Sequence, residues 1–378
     1  MSMLERLKER FERNFEDRGE LGASVSVWRD GEELVSLSNG WCEREQLREW
    51  TDDTLVPFYS MTKGLASATL LMVMDEMGVS PEDEVRSVWE KFPVPSGTIA
   101  QMMSHQLGLA ALDEKVDVWD HEAVVAAIEV QSPNWDVSNL SNCGHGYHPR
   151  TFGFLLEEMV RQLDGRSLGE LWRCEIAEPL GLDAWIGLPE QEVGRVAKLY
   201  PGKMNRGDLE SDFYKELNEA GSLVNRAFFS PRGLHSVREM NAMRAYQAGL
   251  PAMGGIGTAR AVAKFYQAAG GKIPFFSPNV LKWMREMKTC GMDRVLRTRT
   301  AFSCGFQMDP MEGGVKERFH YGLSDQAFGH PGAGGSHAFF DPKTGISFAY
   351  VMNQMEMSPL PGDKTLDLVE AVVGGSEG

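Results

Sequence analysis

Strand-forming alternation at both ends of the 378-residue chain, around a long helical middle, predicts a mixed α/β (α+β) fold. Ala23 to Trp28 (ASVSVW) alternates, Asp30-Gly31 marks a turn, and Glu33 to Leu37 (ELVSL) alternates again, which is a hairpin pattern. Near the C-terminus, Ser336 to Phe340 and Ile346 to Met352 flank a turn at Asp341-Pro342-Lys343-Thr344-Gly345. One sheet built from both chain ends follows. Residues 1–59 and 250–378 are expected to form the mixed lobe, with 60–249 inserted as a mainly helical lobe.

The elements follow in order. Residues 1–20 (MSMLERLKERFERNFEDRGE) form a charged amphipathic helix. Thr54 to Tyr59 (TLVPFY) is apolar and aromatic with a helix breaker, so it reads as strand or extended chain. Gly64 to Met74 (GLASATLLMVM) is apolar nearly all round and reads as a buried helix. Glu122 to Val130, Phe152 to Leu163 and Leu168 to Ala177 carry helical spacing, and Pro179-Leu180-Gly181 closes that series. Lys198 to Pro231 is polar and irregular, expected as a long excursion over a cleft. A helix over Ala259 to Ala269 follows Gly254-Gly255, and a last helix runs near Lys364 to Val373. The active site is expected in the groove between lobes.

Composition narrows the function. A chain 42% hydrophobic and 24% charged is of globular type. Its net charge of -16 disfavours nucleic acid and anionic membrane surfaces as partners. The cysteines (Cys42, Cys143, Cys174, Cys290, Cys304) are five in number, widely spaced and without a CxxC pair. Reduced thiols are expected rather than a zinc or redox site, and no cofactor or metal is anticipated. The N-terminal stretch lacks a signal-peptide h-region, and no apolar run approaches membrane-spanning length, so a cytoplasmic location is expected.

Ser60-Met61-Thr62-Lys63 carries the chemistry. Positions three apart share a helix face, so the Ser60 hydroxyl and the Lys63 amine can meet without help from the fold. A serine alcohol needs a base beside it, and a desolvated lysine can be that base. The same serine fits an ordinary N-cap of the helix that follows. At a helix start its backbone N–H is also free to join an oxyanion hole. Tyr147, in Asn142-Cys143-Gly144-His145-Gly146-Tyr147-His148-Pro149, lies in a Gly-rich loop before a helix near Arg150. A phenol near an ammonium can act as base and then acid, and a packed aromatic fits the position too. His145 and His148 read as loop polar groups. Phe328 to Ser336 (FGHPGAGGS) reads either as a tight turn feeding an edge strand or as a sheet-edge N–H completing the oxyanion hole. Lys343-Thr344-Gly345 reads as a solvent turn. No G-x-S-x-G occurs, which removes the nucleophile-elbow esterases.

In this order, these pieces resemble the serine β-lactamase-like superfamily, in the branch of class C β-lactamases, D-alanyl-D-alanine carboxypeptidases and family VIII carboxylesterases. Ser60 and Lys63 match S-x-x-K, Tyr147 in YHPRTFG is similar to the second motif, and His330-Pro331-Gly332 matches [KHW]-x-G. Three further stretches are similar to family landmarks: Met102 to Leu109, Glu178 to Leu182, and Gly254 to Arg260. The resemblance spans about residues 20 to 355 and implies a β-lactamase/transpeptidase-like fold, with a central antiparallel sheet flanked by helices. It further implies Ser60 as acylated nucleophile, Lys63 as proton acceptor or electrostatic partner, and Tyr147 as the group that shuttles a proton to the leaving group and later helps activate water, with the base being either Lys63 or Tyr147. His330, Gly332 and Ala333 would bind substrate, with the N–H groups of Ser60 and Ala333 forming the oxyanion hole. Two positions depart from class C lactamases: Pro149 stands where Y-x-N has asparagine, and His330 where the third motif has lysine. Both weaken the anchors for a lactam. The expected activity is a carboxylesterase for small, short-acyl esters. The alternatives are a β-lactamase or D-amino-acid peptidase, or a catalytically silent scaffold of the same fold.

Overall fold

The hairpin read around Asp30-Gly31 starts the main sheet in a computed structural model that describes residues 2–203 and 208–374. Strands β1 (Gly22–Arg29) and β2 (Glu32–Gly40) are joined by Asp30 and Gly31, with φ of 51° and 86°. Two left-handed residues in a two-residue loop match the twist of the flanking strands. The remaining strands are β3 (Thr289–Met292), β4 (Arg299–Phe302), β5 (Gln307–Met308), β6 (Phe328–Pro331), β7 (His337–Asp341) and β8 (Ile346–Met352). They form an eight-stranded sheet in the order β2-β1-β8-β7-β6-β5-β4-β3, with every neighbouring pair antiparallel. Ala23 faces Met352 and Arg29 faces Ile346, so the chain's two ends meet at the centre of hydrogen bonding.

The sequence pattern did not reveal β3 to β6. They are two to four residues long, too short to display a period. The strand carrying His330 is interior, between β5 and β7, which corrects the expectation of a sheet edge there.

Period-two alternation divides the core between the two sheet faces. On β8, Phe348, Tyr350 and Met352 join Leu7 and Phe11 of helix α1 (Met3–Asp17) and Leu368 and Val372 of helix α5 (Asp363–Val373). Ala349 and Val351 turn the other way, toward the second core. That core holds helix α2 (Thr62–Glu76), helix α3 (Thr151–Leu163) and helix α4 (Ala259–Ala269). Helix α2 is buried almost all round, as its uniformly apolar run requires.

A second, three-stranded sheet sets the position of the serine. Gly255–Gly257 lies between Val56–Pro57 and Ala184–Ile186, and the Phe58 N–H donates to Gly255 O at 3.0 Å. The chain entering α2 is thereby held against residues 252–255.

The stretch expected to be irregular carries two helices, Asp212–Asn218 and Leu223–Phe229, capped by Ser211 and Ser222. Phe213, Tyr214, Val224 and Ala227 recur at helical spacing and pack in one cluster with Tyr147. Residues 204–207 of that stretch lie outside the described residues. Among the described residues, no helix is long and apolar enough to cross a membrane.

Glu20, Tyr350 and Lys364 lock α5 onto the sheet: the buried Lys364 ammonium donates to Glu20 at 2.9 Å, and Tyr350 Oη donates to the same oxygen. Lys364→Met strands a buried carboxylate. The expected cost is about 3 kcal/mol of unfolding free energy, read from urea denaturation midpoints.

Candidate active site

Ser60 is half-buried in the turn that leads into α2. It does not cap the helix, contrary to the expectation from sequence: Met61 is the N-cap, without a side-chain capping bond. Thr62 Oγ1 instead donates to Tyr59 O and accepts from Gly255 N at 2.8 Å. Tyr59 takes a left-handed φ of 47°, an unusual conformation for a tyrosine, which aims the following residue. The Ser60 hydroxyl is therefore free of local backbone duty.

Lys63 is fully buried in the first turn of α2. Its Nζ lies 3.0 Å from Ser60 Oγ and donates to Pro149 O and Ala252 O, each at 2.9 Å. Burial first, and the Arg150 guanidinium second, hold this amine well below the ordinary lysine range. A neutral amine has two N–H groups and one lone pair. With the two N–H groups on the carbonyls, the lone pair is left for the serine proton.

Tyr147 faces Ser60 from the loop before α3, near enough for the serine to act on its phenol, and Lys63 Nζ lies 4.8 Å from its ring centroid. Burial pushes its phenol up, against the opposing effect of Ser60, so the group stays protonated at neutral pH. Asp293 holds this loop: it accepts from the N–H groups of Tyr147, Val295 and Leu296 at 3.0, 2.8 and 2.9 Å, and from Thr300 Oγ1. His105 supports the Tyr147 ring edge-on, with centroids 5.0 Å apart.

His145 and His148 are buried structural groups. His145 bridges Thr289 and Thr300, while His148 accepts from Leu109 N and contacts Gly146 O. His330 sits on β6 with its ring centroid 6.0 Å from that of Tyr147. Its Nδ1 donates to Pro331 O at 2.7 Å, which leaves Nε2 bare and without a partner among the described residues. Burial keeps this imidazole neutral, and any proton on nearby Lys63 would oppose a second charge here.

Gly332 is packed against the strand end that carries the serine. A Cβ there would stand 2.1 Å from Phe58 O, so only glycine permits the approach. Its N–H donates to Ser336 O at 2.6 Å. Gly334 and Gly335 turn the loop with φ of 91° and 121°. The N–H groups of Ser60 and Ala333 have no acceptor among the described residues, as an oxyanion hole needs. Ser60, Lys63, Tyr147 and His330 thus come together, with Gly332 packed on the strand end before Ser60 and Ala333 next to it in the chain. A groove of about 480 Å³, lined by Trp119, Phe154, Arg161, Met243 and Arg244, contains none of them.

Three contributors escaped the sequence. The carbonyls of Pro149 and Ala252 and the carboxylate of Asp293 carry no signal in residue type. Arg150 follows the tyrosine motif directly, and that adjacency was its only trace.

Fold and site together define a serine hydrolase of the β-lactamase fold. The chain belongs to the beta-lactamase family, whose sequence profile matches residues 8–371. It is 28% identical over 353 residues to "Esterase/beta-lactamase LipL" of Mycobacterium tuberculosis, covering 90% of this chain and 78% of that protein. A penicillin-binding protein homologue from Caulobacter crescentus superposes with a TM-score of 0.85 at 32% identity, covering 98% of this chain and 97% of the other. A family VIII carboxylesterase superposes at 0.84 with 29% identity and the same coverage.

The buried histidines make stability depend on pH. Unfolded histidines titrate near 6.5, whereas burial lowers folded His148 to about 3 and His337 to about 4. The unfolded chain binds more protons below 6.5, so stability is full above that pH and falls as pH drops toward 4. The expected loss at pH 5 is up to about 2 kcal/mol per histidine. Urea midpoints at the two ends of that range measure it, and His148→Gln is expected to flatten the slope by one proton.

Proposed function

We propose that the protein is a carboxylesterase that cleaves small, short-acyl esters through an acyl-enzyme on Ser60. The observation that carries this reading is the buried Lys63 amine, 3.0 Å from Ser60 Oγ with two carbonyls occupying its other positions. Neutral Lys63 takes the Ser60 proton as Oγ attacks the ester carbonyl carbon. The N–H groups of Ser60 and Ala333 receive the oxyanion. Tyr147, kept protonated by burial, gives its proton to the departing alkoxide and regains one from the Lys63 ammonium. Water then repeats the sequence: neutral Lys63 accepts its proton, directly or by relay through the Tyr147 hydroxyl, as its oxygen attacks the acyl carbon, and Ser60 leaves as that proton is returned to its oxygen.

Esters fit better than lactams or D-peptides because the anchors for a carboxylate and a side-chain amide are missing. His330 is buried and neutral, and Pro149 offers only a carbonyl, which is already bound to Lys63. The kinship with an esterase and with a family VIII carboxylesterase supports the same choice. β-Lactam hydrolysis is the second reading, favoured by the double description of the mycobacterial relative. Free thiols at all five cysteines, with Cys174 and Cys290 exposed, fit a reducing compartment such as the cytoplasm.

The expected outcome is turnover of nitrophenyl butyrate well above that of nitrocefin, with Ser60→Ala reducing it by at least about 10⁴-fold. Intact-protein mass spectrometry is expected to show one fluorophosphonate adduct per chain, lost in Ser60→Ala. Retained ester turnover in Ser60→Ala excludes this nucleophile, and absence of any adduct supports a silent scaffold.

A further inference from the structure

Lys63 is enclosed by basic or neutral groups. Those facing it are Tyr147, His148 and Arg150 from the loop before α3, His105 from the 104–109 loop, and His330 from β6. No carboxylate forms an ion pair with it among the described residues. Asp293 is spent on Tyr147 N, Val295 N, Leu296 N and Thr300. The three histidines are neutral by burial, so a permanent charge at this place has one source, Arg150.

Arg150 is itself buried and held by carbonyls alone. Its Nη1 donates to Phe228 O at 3.3 Å and Leu234 O at 3.4 Å, and its Nη2 donates to Gly233 O. Its Nε has no acceptor among the described residues. Glu239, Tyr59 and His235 also face it electrostatically, but Glu239 is solvent-exposed and makes no ion pair with it, and its carboxylate accepts from the N–H groups of His235 and Ser236. Burial lowers the guanidinium to about 10, which leaves it charged at neutral pH. Its neighbour Pro149 supplies one of the two carbonyls on Lys63 Nζ. One residue thus joins the 228–234 wall to the lysine.

We infer that Arg150 is a positioning residue for the hydrolysis: a buried cation hydrogen-bonded by backbone carbonyls alone, it ties the 228–234 segment to the catalytic loop and keeps Lys63 in its proton-accepting form. The inference rests on the reading of Lys63 as the base. Carbonyl dipoles, unlike a carboxylate, hold the guanidinium without neutralising it, so its field reaches the neighbouring amine. Its charge raises the cost of a second cation at Lys63, and the serine proton is taken at a lower pH than burial alone would allow.

The test is the pH dependence of kcat/KM for nitrophenyl butyrate in wild type, Arg150→Met, Arg150→Lys and Lys63→Met. Arg150→Met is expected to move the acidic limb to higher pH by about one unit, a tenfold loss at fixed pH below the limb. Arg150→Lys, which retains the charge, is expected to keep the limb near its wild-type position. A purely structural role lowers kcat without moving the limb, so an unmoved limb in folded Arg150→Met overturns the inference. Should Arg150→Met fail to fold, Arg150→Gln carries the same expectation, with one carbonyl bond preserved. An acidic limb that persists in Lys63→Met overturns the reading of Lys63 beneath it, a result distinct from an unmoved limb in the Arg150 variants.

Discussion

A primary amine sealed inside the protein, with two backbone carbonyls at 2.9 Å and a serine hydroxyl at 3.0 Å, is the constraint around which the rest is arranged. An amine in water is protonated and useless as a base at neutral pH. Burial reverses the preference, because the charged form loses its hydration. Each partner comes from a different part of the chain: the loop before α3, the segment before the second sheet, and the turn into α2. The site therefore exists only when those three segments are packed together, and the fold can be understood as the means of packing them.

The two sheets divide that work. The larger joins the chain's ends and carries His330 on an interior strand, where pairing of His330 and Pro331 with Ala338 and His337 fixes the start of the 332–336 loop. The smaller sheet holds the strand end before Ser60 against residues 254–257. Contact between Gly332 and the Phe58 carbonyl ties one sheet's loop to the other's strand, so the free N–H groups of Ser60 and Ala333 are set by rigid elements on both sides. Asp293 does the same for Tyr147 through three backbone amides, placing a phenol by the geometry of a buried turn.

The proposed preference for esters rests on which charges stand beside Ser60. His330 donates its one proton to Pro331 O and stays neutral, leaving an acceptor where a cation would hold a substrate carboxylate. Arg150, the permanent cation nearest the lysine, points its N–H groups at the wall carbonyls instead of the substrate.

Much of this was legible in residue order. The S-x-x-K spacing, the tyrosine before a helix and the glycines after His330 each state a local requirement: a shared helix face, a loop, a close backbone approach. The hairpins, the buried helix after Lys63 and the helix at Ala259 were readable because their periods run over several turns or residues. The helices at Asp212 and Leu223 went unread, since each is seven residues long and interrupted by polar faces. Strands β3 to β6 were invisible for the same reason, and with them the interior position of His330. Sequence by itself picked out the residues that the fold gathers around Ser60 and showed that both chain ends share a sheet. Tertiary structure alone decided the protonation states and the partners of Lys63, because desolvation and carbonyl contacts arise between segments as distant as residues 63, 149 and 252, and no local pattern records them.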